Sequence, residues 1–383
     1  MAIDLHALGS KLRTYRNQLK ESLEEVSRAT GIAPSRLEGI EQGLIRPSGD
    51  ELLILADHWT CDFQIFVSQD DLAPLKDTDI LYRRHGGAFS KEDRRAVQEF
   101  LFLCETEAFL MAELSHEVLP FSFHPAGSSY KRHAEQGALA LRRFLGYETD
   151  RPAVPRNVFN DFRRIGVHVF RRKLQNSNIS GLFLLHFGAG PCLLINYSED
   201  VYRQRFTAAH ELAHAIFDSD QEVVVSFVGP KRGNLVEVRA NRFASYYLMP
   251  PSMLSLLPDP SRWTQADILR WANEFRVSCD AFGIALKEAG RVNEATSRRI
   301  RKLRVPREAK IDPELGGDLS PTARRTKQDL LRRGLSNFYA GLCFEAHHRG
   351  LISTGRLAEA MFADTADLSE IAPLYGRSLR YGD

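Results

Sequence analysis

Cysteine is scarce: five in 383 residues, at Cys61, Cys104, Cys192, Cys279 and Cys343. They lie far apart and never form a Cys-x-x-Cys pair, which excludes a disulfide framework and a thiolate metal site and predicts reduced, mostly buried thiols. Long apolar runs are missing as well. No stretch of about 18 apolar residues occurs, and the N-terminal MAIDLHALGSKLR lacks the continuous apolar segment of a signal peptide. A soluble, cytoplasmic protein with no membrane partner is expected. Nor is there an excess of either charge, because Lys and Arg total 51 against 49 Asp and Glu, a net charge of +2. That balance excludes a histone-like coat for nucleic acid and a disordered acidic chain. Internal repeats and low-complexity tracts are absent too. At roughly 150 residues per domain the length fits two or three folded units.

What is present is arranged in segments. Residues 1–70 carry apolar residues at helical spacing in stretches that fit five short helices, with seven basic residues against eleven acidic. Residues 71–150 read as a helical connector, with an apolar face through Val97, Phe100, Leu101, Leu103, Cys104, Ala108 and Leu110 and a second helix near HAEQGALALRRFLGY. From about residue 160 the period becomes that of strands. GVHVFRR, ISGLFLLHF and PCLLINY predict a three-stranded sheet, after which helices resume at RQRFTAAHELAHAIF, EVRANRFASYYL and TQADILRWANEF, an α+β pattern. Arg298 to Lys310 holds seven basic residues against one acidic and reads as a solvated linker, and IDPELGGDLSPT reads as an exposed loop. A helical block closes the chain. Its adjacent His347 and His348 point about 100° apart on a helix and are not expected to share a metal. The expected division is a helical domain at 1–70, a connector at 71–150, an α+β domain at 151–290, and a basic linker with a helical region at 291–383.

The strongest chemical signal is His210-Glu211-Leu212-Ala213-His214. Two histidines four apart on a helix differ by about 40° around the axis, so both imidazoles can reach one zinc ion. Glu211, beside that face, can take a proton from a metal-activated water and later give one to a leaving amine. Such a site needs a third protein ligand, and the next helix offers Glu237, with Asn241 one turn on to accept the spare ring N–H of a ligand histidine. Ala240 and Ala244 allow the two helices to approach closely. Catalysis also needs a donor for the oxyanion; Tyr202, Tyr246, Tyr247, His168 and His186 are the candidates, with nothing in the sequence to choose among them.

RQRFTAAHELAHAIFD, preceded by ISGLFLLHF and CLLINY and followed by EVRANRFASYYLMP, resembles the ImmA/IrrE family of zinc-dependent metallopeptidases, bacterial and phage proteins whose known members cleave helix-turn-helix repressors. The match covers the edge strands, the active helix with its Arg-Phe-Thr lead-in, and the Glu-x-x-Ala-Asn-x-Phe-Ala helix with its Leu-Met-Pro end. The resemblance implies a zincin-like fold, zinc as cofactor with His210, His214 and Glu237 as ligands, and Glu211 as general base and acid. One position departs: the family often has Gly where this chain has Ala213.

A second pattern fills residues 4–70. LHALGSKLRTYRNQLK is an amphipathic helix. Ser22 caps the next one, Leu23 to Thr30, with Glu25 completing a capping box. Gly31 supplies a tight turn that Ile32 anchors, Pro34 opens the following helix, and Gly43 ends it. Two helices joined by a short turn present the start of the second to DNA base edges. This arrangement resembles the Xre/Cro-type helix-turn-helix family over its whole length, Ile40-Glu41-Gln42-Gly43 being among its most specific parts. The resemblance implies a groove-facing surface of Ser35, Arg36 and Glu38, with Arg13, Arg16, Arg28 and Arg46 nearby for phosphates. Because the segment is net acidic, binding to a double-stranded operator is expected to need a homodimer across two half-sites.

The expectation from sequence is thus a multidomain chain: an all-α helix-turn-helix domain, an α+β zincin-like metallopeptidase domain with a small sheet, and a helical C-terminal block. Its expected function is that of a DNA-binding transcriptional regulator whose zinc endopeptidase cleaves a helix-turn-helix repressor or itself. Two alternatives stand beside it: a regulator whose zinc domain is sensory or structural, and a toxin-antitoxin or phage-defence component.

Overall fold

The structure is a computed structural model that describes residues 4–379 apart from 62, 69–77, 79, 83, 84, 149–151, 219–222 and 228–233. It opens with α1 (Leu5–Gln18), α2 (Leu23–Thr30), α3 (Pro34–Glu41), α4 (Gly49–Trp59) and α5 (Gln64–Val67). Local chemistry sets their ends. Ser22 and Glu25 exchange hydrogen bonds across the first turn of α2, and Ser48 and Glu51 do the same on α4, which satisfies amide groups the helices would leave unpaired. Gly31 takes the left-handed conformation that ends α2 (φ +75°), a backbone state costly for a residue with a Cβ. Leu8, Leu12, Tyr15, Val26, Leu37, Ile40, Leu55 and Trp59 then pack into a core of their own.

Beyond this unit come α6 (Lys91–Glu113), α7 (Tyr130–Phe144), α8 (Val158–Arg164), β1 (His168–Arg172), β2 (Ile179–His186), β3 (Gly190–Asn196), α9 (Val201–Phe217), β4 (Val223–Phe227) and α10 (Leu235–Leu248). The sheet has four strands in the order β1-β3-β2-β4, with β1 and β3 parallel and the other pairs antiparallel. The three-stranded expectation is therefore corrected by β4, whose Val223-Val224-Val225 run lies between two strong helical patterns. The strands expected at the edges, β2 and β3, are central instead; β1 and β4 are the edges.

Both faces of this sheet are covered, which is why β2 and β3 read as almost continuous apolar runs. Val169, Phe183, Leu193 and Ile195 face a core built with α7, α8, α9 and α10. Phe170, Leu182, Leu184 and Leu194 face a second core that contains α6 and the helices between Pro321 and Ile371. The closing block is thus the back cover of the sheet, tied on by the Lys173 N–H donating to the Arg332 carbonyl at 2.9 Å. Residues 71–150 are likewise more than a connector, because α6 packs on the back of the sheet while α7 packs on the front. There Arg142 donates to the Tyr247 carbonyl at the end of α10 (2.7 Å).

The basic run and the loop after it also differ from expectation. Glu294–Arg301 is helical with Ile300 in the front core. Asp312 makes an ion pair with buried Arg171 (2.9 Å), and buried Glu314 accepts the Asn337 N–H (2.6 Å). The basic side chains of 298–310 are mostly exposed while Ile300 and Val305 are buried, and the loop after them is anchored at Asp312 and Glu314 rather than wholly exposed. The N-terminal unit meets α6 through polar contacts: Arg94 to the Gln18 carbonyl (2.6 Å), Lys20 to the Phe89 carbonyl (3.1 Å) and the Lys91–Glu25 ion pair (2.7 Å). Among the described residues, no helix is long and apolar enough to cross a membrane.

Candidate functional site

Helix α9 begins at Asp200, whose side chain caps the Tyr202 and Arg203 amides, and it buries one face against the sheet. His210, Glu211 and His214 all point inward, and α10 crosses close by over Ala240 and Ala244. His210, His214 and Glu237 each offer a ligand atom, and those atoms lie within 4.8 Å of one another. The group is nearly sealed: His214 and Glu211 are 0% exposed, His210 7% and Glu237 8%.

The hydrogen bonds decide what such a group can hold. His210 Nδ1 faces the Asn241 amide oxygen at 3.2 Å, and His214 Nδ1 faces Asp218 Oδ2 at 2.9 Å. Each Nδ1 therefore carries the ring proton, and each Nε2 presents a lone pair. These two nitrogens are 3.2 Å apart, and Glu237 Oε2 lies 3.4 Å from His210 Nε2. Two imidazole lone pairs and a carboxylate converging on one point repel one another unless a cation lies between them, and two nitrogens with one oxygen suit zinc. The donor set fits the metal. Without it, Glu237 raises the proton affinity of His210 against the opposing effect of burial.

Glu211 sits beside this group with the Ser226 hydroxyl near its carboxylate, and neither carboxylate oxygen makes a well-formed hydrogen bond among the described residues. Burial pushes its carboxyl above the usual range, against the pull of His210 and His214. Room for it comes from Gly181 on β2, where a Cβ would lie 3.1 Å from Glu211 Oε1 and 2.9 Å from Thr207 Cγ2. Sequence reading passed over Gly181, since one glycine in an apolar strand carries no local sign of what approaches it. Asp218 was missed too, although its place four residues after His214 puts it on the same helical face. It is buried and also makes an ion pair with Arg239 of α10.

The five oxyanion candidates are engaged elsewhere. Tyr202 hydrogen-bonds to Asn273, Tyr247 donates to Asp161 (3.2 Å) and Tyr246 accepts from Arg242 (3.0 Å). His168 pairs with Glu107 (2.9 Å), and His186 accepts the Gly188 and Ala189 amides and faces Glu105. None of these contacts involves the triad.

In the N-terminal unit Ser35, Arg36 and Glu38 are exposed on α3, and Arg13, Arg28 and Arg46 are exposed around it. Arg36 makes a two-pronged ion pair with Glu51, whose carboxyl it lowers to about 2. Arg16 departs from expectation. Its guanidinium binds both Glu41 oxygens (2.6 and 2.8 Å) and the Glu21 carbonyl (2.8 Å) with 12% of the side chain exposed, so it holds α1 to α3 rather than reaching out to phosphates.

Residues 162–287 match a peptidase family model described as the IrrE N-terminal-like domain, and residues 7–62 match a helix-turn-helix domain. No curated protein matches the chain. The chain joins a helix-turn-helix domain to an ImmA/IrrE-type domain.

Proposed function

We propose that this fusion is a DNA-binding transcriptional regulator whose second domain hydrolyses peptide bonds. The observation that carries the reading is the convergence of two bare imidazole nitrogens and the Glu237 carboxylate beside the buried carboxylate of Glu211, which makes no well-formed hydrogen bond among the described residues. His210, His214 and Glu237 would hold zinc, with Asn241 and Asp218 fixing the two rings by their Nδ1 protons. Bound there, zinc supplies a Lewis acid that polarises a carbonyl and acidifies water.

Glu211 does the proton work. A water adds to the scissile carbonyl and gives its proton to the Glu211 carboxylate; the C–N bond then breaks as that proton passes to the departing amine. A deeply buried carboxylate suits this role, because burial raises its proton affinity and moves it toward neutral pH. The substrate we favour is a helix-turn-helix repressor or the chain itself, since DNA binding concentrates the peptidase beside proteins on the same operator. On α3 the exposed Ser35, Arg36 and Glu38 read base edges, Arg13, Arg28 and Arg46 contact phosphates, and a homodimer spans two half-sites.

Mass spectrometry of the zinc-loaded chain, alone and with a co-encoded repressor, tests the peptidase. Glu211→Gln is expected to keep one zinc per chain and to lose cleavage by about 10²–10⁴-fold. Equal cleavage by this variant, or wild-type protein purified without zinc, would overturn the mechanism. Burial of the triad favours one second reading, a sensory or structural zinc; it is adopted if zinc is bound and no peptide is cut.

A further inference from the structure

Buried charge also meets open space at the junction of α6, α8 and β1. A cavity of about 330 Å³ opens there, and none of the triad lines it. Its walls include Ala108, Met111, Ala112, Val118 and Val167, and its polar lining is Glu107, His116, Arg163 and His168. Glu107 is fully buried. It accepts from Arg163 Nε (3.2 Å) and from His168 Nδ1 (2.9 Å). The other Arg163 nitrogens donate to Asn160 Oδ1 (3.2 Å), Ser336 Oγ (3.1 Å) and the Val169 carbonyl. Glu107 and Arg163 thus satisfy one another and their surroundings. His168 differs, for it is 6% exposed and its Nδ1 proton is held by Glu107, while its Nε2 lone pair has no partner among the described residues.

We propose that this cavity binds a small, largely apolar molecule carrying one N–H or O–H donor, which His168 Nε2 accepts. Two features select that class. The volume lies at the low end for small-molecule sites, too small for a nucleotide or a folded peptide segment. The walls are mostly apolar, and the Arg163 guanidinium is committed to Glu107, Asn160, Ser336 and the Val169 carbonyl, so it is not offered to a phosphate or carboxylate. The site does not depend on the peptidase reading.

Calorimetric titration of the purified full chain with indole and phenol, and with 1-methylindole and anisole as partners lacking the donor, tests the assignment. Saturable binding of indole or phenol at one site per chain is expected, with the methylated partner at least tenfold weaker. Ala112→Trp, a change at an exposed rim position of α6, is expected to weaken the donor ligand at least tenfold while zinc content stays unchanged. Absence of saturable binding by indole and phenol at millimolar concentration, equal affinity for methylated and unmethylated ligands, or unchanged binding in Ala112→Trp would each overturn it.

Discussion

The His210–His214–Glu237 triad and helix α3 use charge in opposite ways. Around the triad, carboxylates and imidazoles are sealed from water and held with a deficit: two lone pairs face each other and neither Glu211 oxygen makes a well-formed hydrogen bond among the described residues. Around α3 the exposed Arg36 is paired with Glu51. A buried polar group left unsatisfied costs on the order of 1–3 kcal/mol, so it persists where a ligand or a reaction completes it. Surface pairs cost little to make and to break, and a helix that exchanges water for DNA needs that freedom. A polar deficit therefore marks the chemical site here, whereas the interface shows only exposure and sequence pattern.

The sharpest break in this comparison is Arg16, which belongs to the reading domain yet is built like a core residue. Arg16→Ala is expected to destabilise the helix-turn-helix unit by about 2–4 kcal/mol, because it strands Glu41 and the Glu21 carbonyl; thermal melting checks this, and a change within about 0.5 kcal/mol would place the residue at the surface after all. Asp218→Ala comes next. Freed from its acceptor, the His214 ring loses its fixed tautomer, and zinc affinity measured by competition with a chelator should fall about 10–100-fold. Arg36→Ala is expected to weaken operator binding by about 1–2 kcal/mol and leave zinc content unchanged, as read by a binding titration at fixed salt.

The smallest effects are in pH, and the two regions should run in opposite directions. The carboxyl of Glu51 lies at about 2 in the folded chain against 4.5 for the free group. Its contribution is present above 4.5 and fades as pH falls toward 2; solvent exposure keeps it below about 1 kcal/mol, and Glu51→Gln should flatten that part of the acid limb. Glu211 in metal-free protein does the reverse. The native state holds a proton that the unfolded chain releases above 4.5, so stability falls as pH rises from there, and Glu211→Gln should remove that slope.

The legibility of the sequence follows the range of the contacts. Ser22 with Glu25, His210 with His214, and Glu237 with Asn241 are pairs three or four residues apart, which a helix brings together wherever it lies. The helix-turn-helix and the peptidase helices were readable for that reason. The strand β4 was not, because five residues between two helical patterns carry too little periodicity to stand out. The loop after residue 310 misled for a different cause: a Pro-, Gly- and Asp-rich stretch looks exposed until Arg171 and Asn337, distant in sequence, engage Asp312 and Glu314. Arg16 misled similarly, since an arginine near a reading helix looks available until Glu41 is folded against it.

The sequence by itself determined the helices, their caps, the spacing that puts two histidines on one face, and the likeness to two known families. Tertiary structure alone decided that α6 and the C-terminal helices cover the back of the sheet, that Gly181 makes room for Glu211, that Asp218 and Arg239 stand behind His214, and that a cavity lies beside His168. The physical reason is one of distance along the chain. Backbone geometry fixes neighbours within a turn, but burial is a property of the assembled whole, and burial decides which charges are satisfied and which are left to act.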